Sequence, residues 1–92
     1  MKDLVELVRT YSDKIENGRR PIDVYHYLFD EVQELKDEVY GTNKGPDGIR
    51  GEAIDVIVCA LDLIYKVSPE WTNDDIVAYA EKKCEKWAKK YG

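Results

Sequence analysis

Acidic residues at helical spacing are the feature of this sequence best suited to chemistry. In the segment GEAIDVIVCALDLIY, the residues Glu52, Asp55 and Asp62 recur at steps of three and seven, which places them on one face of a helix. The rest of the segment is almost entirely apolar, and a buried carboxylate without a partner is strongly unfavourable. We therefore expect a positive charge opposite this face.

A second line of acids, formed by Glu31, Glu34 and Glu38, recurs at steps of three and four in the preceding apolar pattern. If the two helices pack antiparallel, at least four carboxylates converge, and they raise one another's pKa unless a cation binds. Oxygen ligands without His or Cys favour Mg²⁺, with Mn²⁺ as a substitute. The alternative is that these glutamates form an ordinary solvated helix face.

The elements that must position these acids follow from apolar residues that recur every three or four positions along the chain. The pattern predicts helices over 2–17, 21–41, about 50–66 and about 73–90. Pro21 suits a first helical position, and Thr72 with Asp75 forms a capping box for the last helix. The expected fold is all-α, a compact bundle of four antiparallel helices in a single domain spanning 1–92, with a glycine-rich loop at 41–51.

Exposed apolar surface would remain on such a small bundle. The third helix is apolar nearly all round, so we expect the other helices and a second copy of the chain to cover it, in a homodimer at least. On the last helix the expected inner stripe consists of Ile76, Ala80, Cys84 and Trp87.

Composition excludes several classes of protein. The net charge is -5, from 14 Lys plus Arg and 19 Asp plus Glu, which argues against binding to nucleic acid or to an anionic membrane. The longest apolar stretch, Ala53 to Tyr65, has 13 residues, whereas a membrane span needs about 20. The N-terminus lacks a signal-peptide pattern, and Cys59 and Cys84, without CxxC spacing, are expected to be reduced core thiols. A cytoplasmic protein is expected.

The two acidic runs form a paired motif: Glu31-Val-Gln-Glu34, a spacer of 17 residues, then Glu52-Ala-Ile-Asp55. This ExxE, spacer, ExxD arrangement on consecutive helices resembles the MazG-like, all-α nucleoside triphosphate pyrophosphohydrolases, over residues 21–90. The resemblance implies Mg²⁺-dependent cleavage of a ribonucleoside or deoxyribonucleoside triphosphate between its α- and β-phosphates, which yields a nucleoside monophosphate and pyrophosphate. It also implies a homodimer or homotetramer.

By motif position, the resemblance makes Glu31, Glu34, Glu52 and Asp55 the metal-site acids, with Glu31 or Glu34 as the catalytic base. Asp62, seven residues beyond Asp55, would help to position the substrate.

The last helix departs from the family pattern. Relatives often have a Lys, an Asn directly after it and an Arg three residues further on, and all of these contact the nucleotide. This chain has Lys86-Trp87-Ala88-Lys89-Lys90 instead. The resemblance assigns phosphate binding to Lys86, with Lys83 as a second candidate. Trp87 removes one polar contact, and Lys90 replaces a forked guanidinium with a point charge.

Two other classes of function fit the same residues. A helical interaction module could dock a basic partner on its acidic face, without any response to divalent ions. A regulatory nucleotide-binding domain would bind the metal–nucleotide complex and release no pyrophosphate.

Overall fold

Four α-helices make up the computed structural model, which describes residues 3–15, 18–42 and 45–92. They are α1 (Leu4–Lys14), α2 (Pro21–Tyr40), α3 (Gly48–Val67) and α4 (Asn73–Tyr91). These residues contain no β-strand, so the prediction of an all-α fold with four helices is confirmed. In the part of the chain described, no helix combines the length and the apolar character needed to cross a bilayer.

Local sequence signals set the ends of α2 and α4. Pro21 is the first residue of α2, and Gly41 follows its last residue with a φ of 73°, a left-handed conformation that glycine adopts without strain. Before α4, the Thr72 hydroxyl accepts a hydrogen bond from the Asp75 backbone N–H, and the Asp75 carboxylate accepts one from the Thr72 N–H. The predicted capping box is therefore confirmed.

The other two helices differ in extent from the prediction. α1 ends at Lys14, and the stop expected at Asn17 lies outside the described residues. α3 begins at Gly48, so the connection before it is shorter than the predicted loop over 41–51. The early start of α3 depends on a glycine within its first turn, because a Cβ at Gly51 would lie 2.6 Å from the Cβ of Asp47.

Both α1 and α2 pack against α3. Polar contacts at its C-terminal half fix α1 in place: the Tyr65 hydroxyl donates a 2.9 Å hydrogen bond to Asp13. The Arg9 guanidinium lies 4.8 Å from the centre of the same Tyr65 ring, close enough for a cation–π contact.

A buried polar network lies where these three helices meet. One oxygen of the Asp62 carboxylate accepts a 2.7 Å hydrogen bond from the Ser12 hydroxyl, and the other accepts a 2.8 Å bond from Arg19 Nη1. Arg19 Nη2 also donates to the Ser12 oxygen at 3.0 Å. Ser12 and Asp62 expose only 3% and 8% of their surface. The positive charge expected opposite Asp62 is thus supplied by Arg19, from the connection between α1 and α2.

The buried apolar core is small. Among the described residues, Val5, Val8 and Val24 are its buried hydrophobic members. The apolar surface of α3 is only partly covered, since Ile54 and Ile57 expose 52% and 42% of their surface.

The predicted inner stripe of α4 is wrong for this chain taken singly. α4 buries none of its residues, and only Ile76 of that stripe is half-buried. Trp87 is 65% exposed, and Cys84 is an exposed free thiol rather than a core residue. The reason is that α1 and α2 pack against α3, whereas α4 forms no comparable packing with any of the three.

The network at Asp62 predicts that replacement of two neighbouring arginines by alanine has unequal effects on stability. Arg19→Ala leaves the Asp62 carboxylate buried without its cation, so we expect the free energy of unfolding to fall by about 3 kcal/mol. Arg20→Ala is the matched control, because Arg20 pairs with Asp23 at the surface, with side chains 72% and 36% exposed, and should change stability little. Urea unfolding measures the free energy of unfolding of each variant. An equal decrease in the two variants would contradict the structural role of the ion pair between Arg19 and Asp62.

Candidate metal centre

Three carboxylates from two helices converge where α2 packs along α3. Glu31 lies in the middle of α2, and Glu52 and Asp55 lie one turn apart near the start of α3. One carboxylate oxygen from each of these residues lies within 4.8 Å of those from the other two. We call Glu31, Glu52 and Asp55 the acidic triad. The sequence motifs predicted all three, and the packing brings them together.

Two oxygens of the acidic triad are buried without a hydrogen-bond partner. They are Oε2 of Glu31 and Oε2 of Glu52, and Glu52 as a whole exposes only 9% of its surface. A buried acceptor that has lost its water and found no donor is costly, and more so when it carries charge. A divalent cation held by these carboxylates would offset that cost. An all-oxygen set of carboxylates fits the hard cations Mg²⁺ and Mn²⁺ in ligand type.

Burial and neighbouring negative charge both raise the proton affinity of Glu31. Its pKa rises from 4.5 to about 7, chiefly because of burial, then because of a side-chain hydrogen bond with Glu34 and the charges of Glu34, Asp55 and Glu52. The pKa of Glu52 is also raised, first by burial and then by the charges of Glu34 and Asp55. Both shifts favour the protonated form of these carboxyls, and a bound cation would oppose them.

The remaining acids of α2 are arranged differently. Glu34 is exposed and adjoins the acidic triad through Glu31, without joining the set of oxygens within 4.8 Å of one another. Glu38 is buried, and its carboxylate accepts a 2.9 Å hydrogen bond from the backbone N–H of Gly45. Glu38 therefore holds the connection between α2 and α3 in place.

Asp62, predicted as a substrate-positioning residue, lies two turns beyond Asp55 on α3 and forms the network with Ser12 and Arg19. It also lines a cavity of about 560 Å³ whose wall includes Glu31 of the acidic triad. Neither partner of Asp62 was predicted from the sequence. Ser12 had a usable signal, because it follows Val8 by one helical turn and is a polar residue within the apolar stripe of α1. Arg19 had none, since it stands in a connection whose path the sequence does not reveal.

The predicted phosphate-binding lysines lie outside the packing of α2 against α3. Lys83 and Lys86 are exposed on α4, the helix that buries none of its residues. Neither lysine forms an ion pair with any residue that the structure describes. Their assignment to phosphate remains a prediction.

Comparison of the chain with protein-family models, curated proteins and solved structures gives no significant match. The assignment of residue roles therefore depends on the motif and on the geometry described above.

The raised pKa of Glu31 predicts a pH-dependent stability. Because the folded state binds this proton more tightly than the unfolded state, the stabilisation from Glu31 is full below its ordinary pKa of 4.5 and is lost as pH rises through about 7. In chelator, the melting temperature should therefore decrease from about pH 5 to about pH 8, and Glu31→Gln should reduce that decrease. Added Mg²⁺ or Mn²⁺ should raise the melting temperature more at the higher pH, where protons no longer compete.

Glu81→Gln is the control for this experiment, because Glu81 is an exposed acid on α4. It removes one negative charge from the chain, as Glu31→Gln does, and should leave the pH profile unchanged. Identical profiles for wild type and Glu31→Gln would show that this carboxyl does not titrate as described.

Proposed function

We propose that the chain is a divalent-metal-dependent nucleoside triphosphate pyrophosphohydrolase, which releases pyrophosphate from a nucleoside triphosphate and leaves the monophosphate. The observation that carries the proposal is the acidic triad of Glu31, Glu52 and Asp55, with two buried oxygens that lack partners. These three residues occupy motif positions that the family resemblance assigns to the metal. Acids that only solubilise a helix would point to water rather than converge between two helices.

The chemistry follows from charge. A triphosphate carries about four negative charges and would be repelled by the acidic triad alone. Bound at the triad, Mg²⁺ or Mn²⁺ would supply the positive charge that the phosphate oxygens require. Glu31 and Glu34 are the two candidates for the base that takes a proton from the attacking water, as the motif resemblance implies.

The proposal includes an antiparallel arrangement of α2 and α3. Glu31 in mid-α2 has Asp55 and Cys59 among its electrostatic neighbours, while Glu38, later in α2, neighbours the earlier α3 residue Glu52. These neighbours support an arrangement in which later residues of α2 lie beside earlier residues of α3. This arrangement brings an ExxE motif and an ExxD motif face to face.

The proposal also includes a homodimer or homotetramer. Large apolar side chains remain exposed on every helix of the single chain. On α4 they include Val77 at 44%, Tyr79 at 51% and Trp87 at 65%. A second copy would cover part of this surface, and the phosphate-binding role proposed for Lys83 and Lys86 depends on how α4 is held in the assembly.

Removal of a triad carboxylate should abolish the reaction. Glu52→Gln and Asp55→Asn each remove a negative charge that holds the metal, so we expect pyrophosphate release from a panel of ribonucleoside and deoxyribonucleoside triphosphates to fall at least about a hundredfold with Mg²⁺ present. Asp30→Asn is the matched control, because Asp30 is an exposed acid next to Glu31 in the chain and is not part of the triad. It should retain wild-type activity.

Other outcomes of the pyrophosphate-release assay would indicate another class of function. Binding of the Mg²⁺–nucleotide complex without any pyrophosphate release would contradict turnover and identify a regulatory nucleotide-binding domain. Absence of both nucleotide binding and stabilisation by divalent ions in wild type would contradict the metal centre and favour the protein-interaction module.

A further inference from the structure

A cavity of about 560 Å³ lies between α1, α2 and α3, next to the acidic triad. Its wall is mostly apolar and includes Leu7 and Val8 of α1, Val24 and Tyr27 of α2, and Val58 of α3. This volume is typical of pockets that bind small organic ligands, which are mainly apolar with a few placed polar groups.

Two polar features break the apolar wall. Glu31 belongs both to the cavity and to the acidic triad, so the two sites are continuous. The second feature is the network of Asp62, Ser12 and Arg19, all three of which line the cavity. Asp62 is 8% exposed and carries the one carboxylate of that network.

We propose that this cavity is the nucleobase subsite of the substrate, and that Asp62 makes it select cytosine or adenine, which have an amino group at C4 of the pyrimidine or C6 of the purine, over uracil or thymine, which have a carbonyl at C4. The inference rests on the proposed function, because it places the triphosphate of the same molecule at the acidic triad. A nucleobase is planar and uncharged at neutral pH, and it gains by transfer from water to an apolar wall. Its triphosphate extends toward Glu31, where the cavity meets the triad.

The selectivity follows from the hydrogen bonds already made. The Ser12 hydroxyl donates its hydrogen to Asp62, and the Arg19 Nη1 and Nη2 groups donate to Asp62 and Ser12. Each oxygen of the Asp62 carboxylate has two lone pairs, so it can accept a second hydrogen bond. A buried carboxylate attracts an amino group and repels the carbonyl oxygen that uracil and thymine present at the equivalent position.

Two neighbouring residues of α3 allow a matched test of the cavity. Val58 lines it and Ile57 does not, and they are 37% and 42% exposed. Val58→Trp should fill the cavity and abolish binding of cytidine, as measured by saturation-transfer NMR in chelator. Ile57→Trp adds the same side chain outside the cavity and should bind cytidine as wild type does. Neither measurement requires metal or turnover.

Base selectivity provides the second test. Wild type should bind cytidine more tightly than uridine, which differs at the position that Asp62 contacts. Asp62→Asn offers an amide donor and acceptor in place of the carboxylate, so it should reduce that preference at least about tenfold. If this variant does not fold without the charge that pairs with Arg19, the comparison of cytidine with uridine on wild type still decides the point.

These experiments distinguish failure of the nucleobase subsite from failure of the proposed pyrophosphohydrolase activity. Wild type that releases pyrophosphate, but binds cytidine and uridine equally and is unaffected by Val58→Trp, would overturn the subsite and leave the proposed function standing. Cytidine binding that Val58→Trp abolishes, without pyrophosphate release from any triphosphate, would support the cavity as a base site and contradict the enzyme. If Val58→Trp instead changes the oligomeric state in sedimentation and no nucleoside binds wild type, a second copy occupies the cavity and the inference is wrong.

Discussion

Packing of α2 along α3 forces like charges together, and the rest of the site depends on how that repulsion is relieved. The acidic triad draws its carboxylates from both helices, and one oxygen of Glu31 and one of Glu52 are buried there. Burial, together with this repulsion, raises the pKa of Glu31 to about 7, so a proton relieves the repulsion when no metal ion is bound. A divalent cation would relieve it more completely, because it also satisfies the buried oxygens of Glu31 and Glu52.

The same helix, α3, connects this site to the rest of the chain. Its first turns carry Glu52 and Asp55, and two turns later Asp62 binds α1 through Ser12 and the connection before α2 through Arg19. Asp62 therefore differs from the triad in the source of its counter-charge, which the chain itself provides. This difference separates a structural ion pair from a site that needs an external cation, although Glu52, Asp55 and Asp62 share one face of α3. The cavity between these two polar regions is a consequence of the way α1 and α2 meet α3.

Much of this arrangement could be predicted from the sequence, because helical periodicity and caps act locally. The limits of α2 and α4 followed from Pro21, Gly41 and the Thr72 cap, and the three triad acids followed from two short motifs. The partner of Asp62 could not be predicted, since Arg19 reaches it across a sequence separation of 43 residues.

The position of α4 relative to the other helices also could not be predicted from the sequence. Its apolar stripe shows that something should cover it, but periodicity does not say whether the covering surface belongs to the same chain. The exposure of Trp87 shows that residues 3–15, 18–42 and 45–92 do not provide it. Local patterns thus identified the elements and the acids, whereas long-range contacts decided which carboxylate is paired and which helix is left uncovered.

Direct observation of Mn²⁺ binding tests the central claim, that the acidic triad is a cation site. Electron paramagnetic resonance distinguishes free from protein-bound Mn²⁺, and it needs neither nucleotide nor turnover. We expect wild type to bind Mn²⁺ and Mg²⁺ to displace it, whereas Glu52→Gln leaves Mn²⁺ free and the Asp30→Asn control binds as wild type does. Mn²⁺ that stays free with the wild-type protein, or that binds Glu52→Gln equally well, would contradict the account.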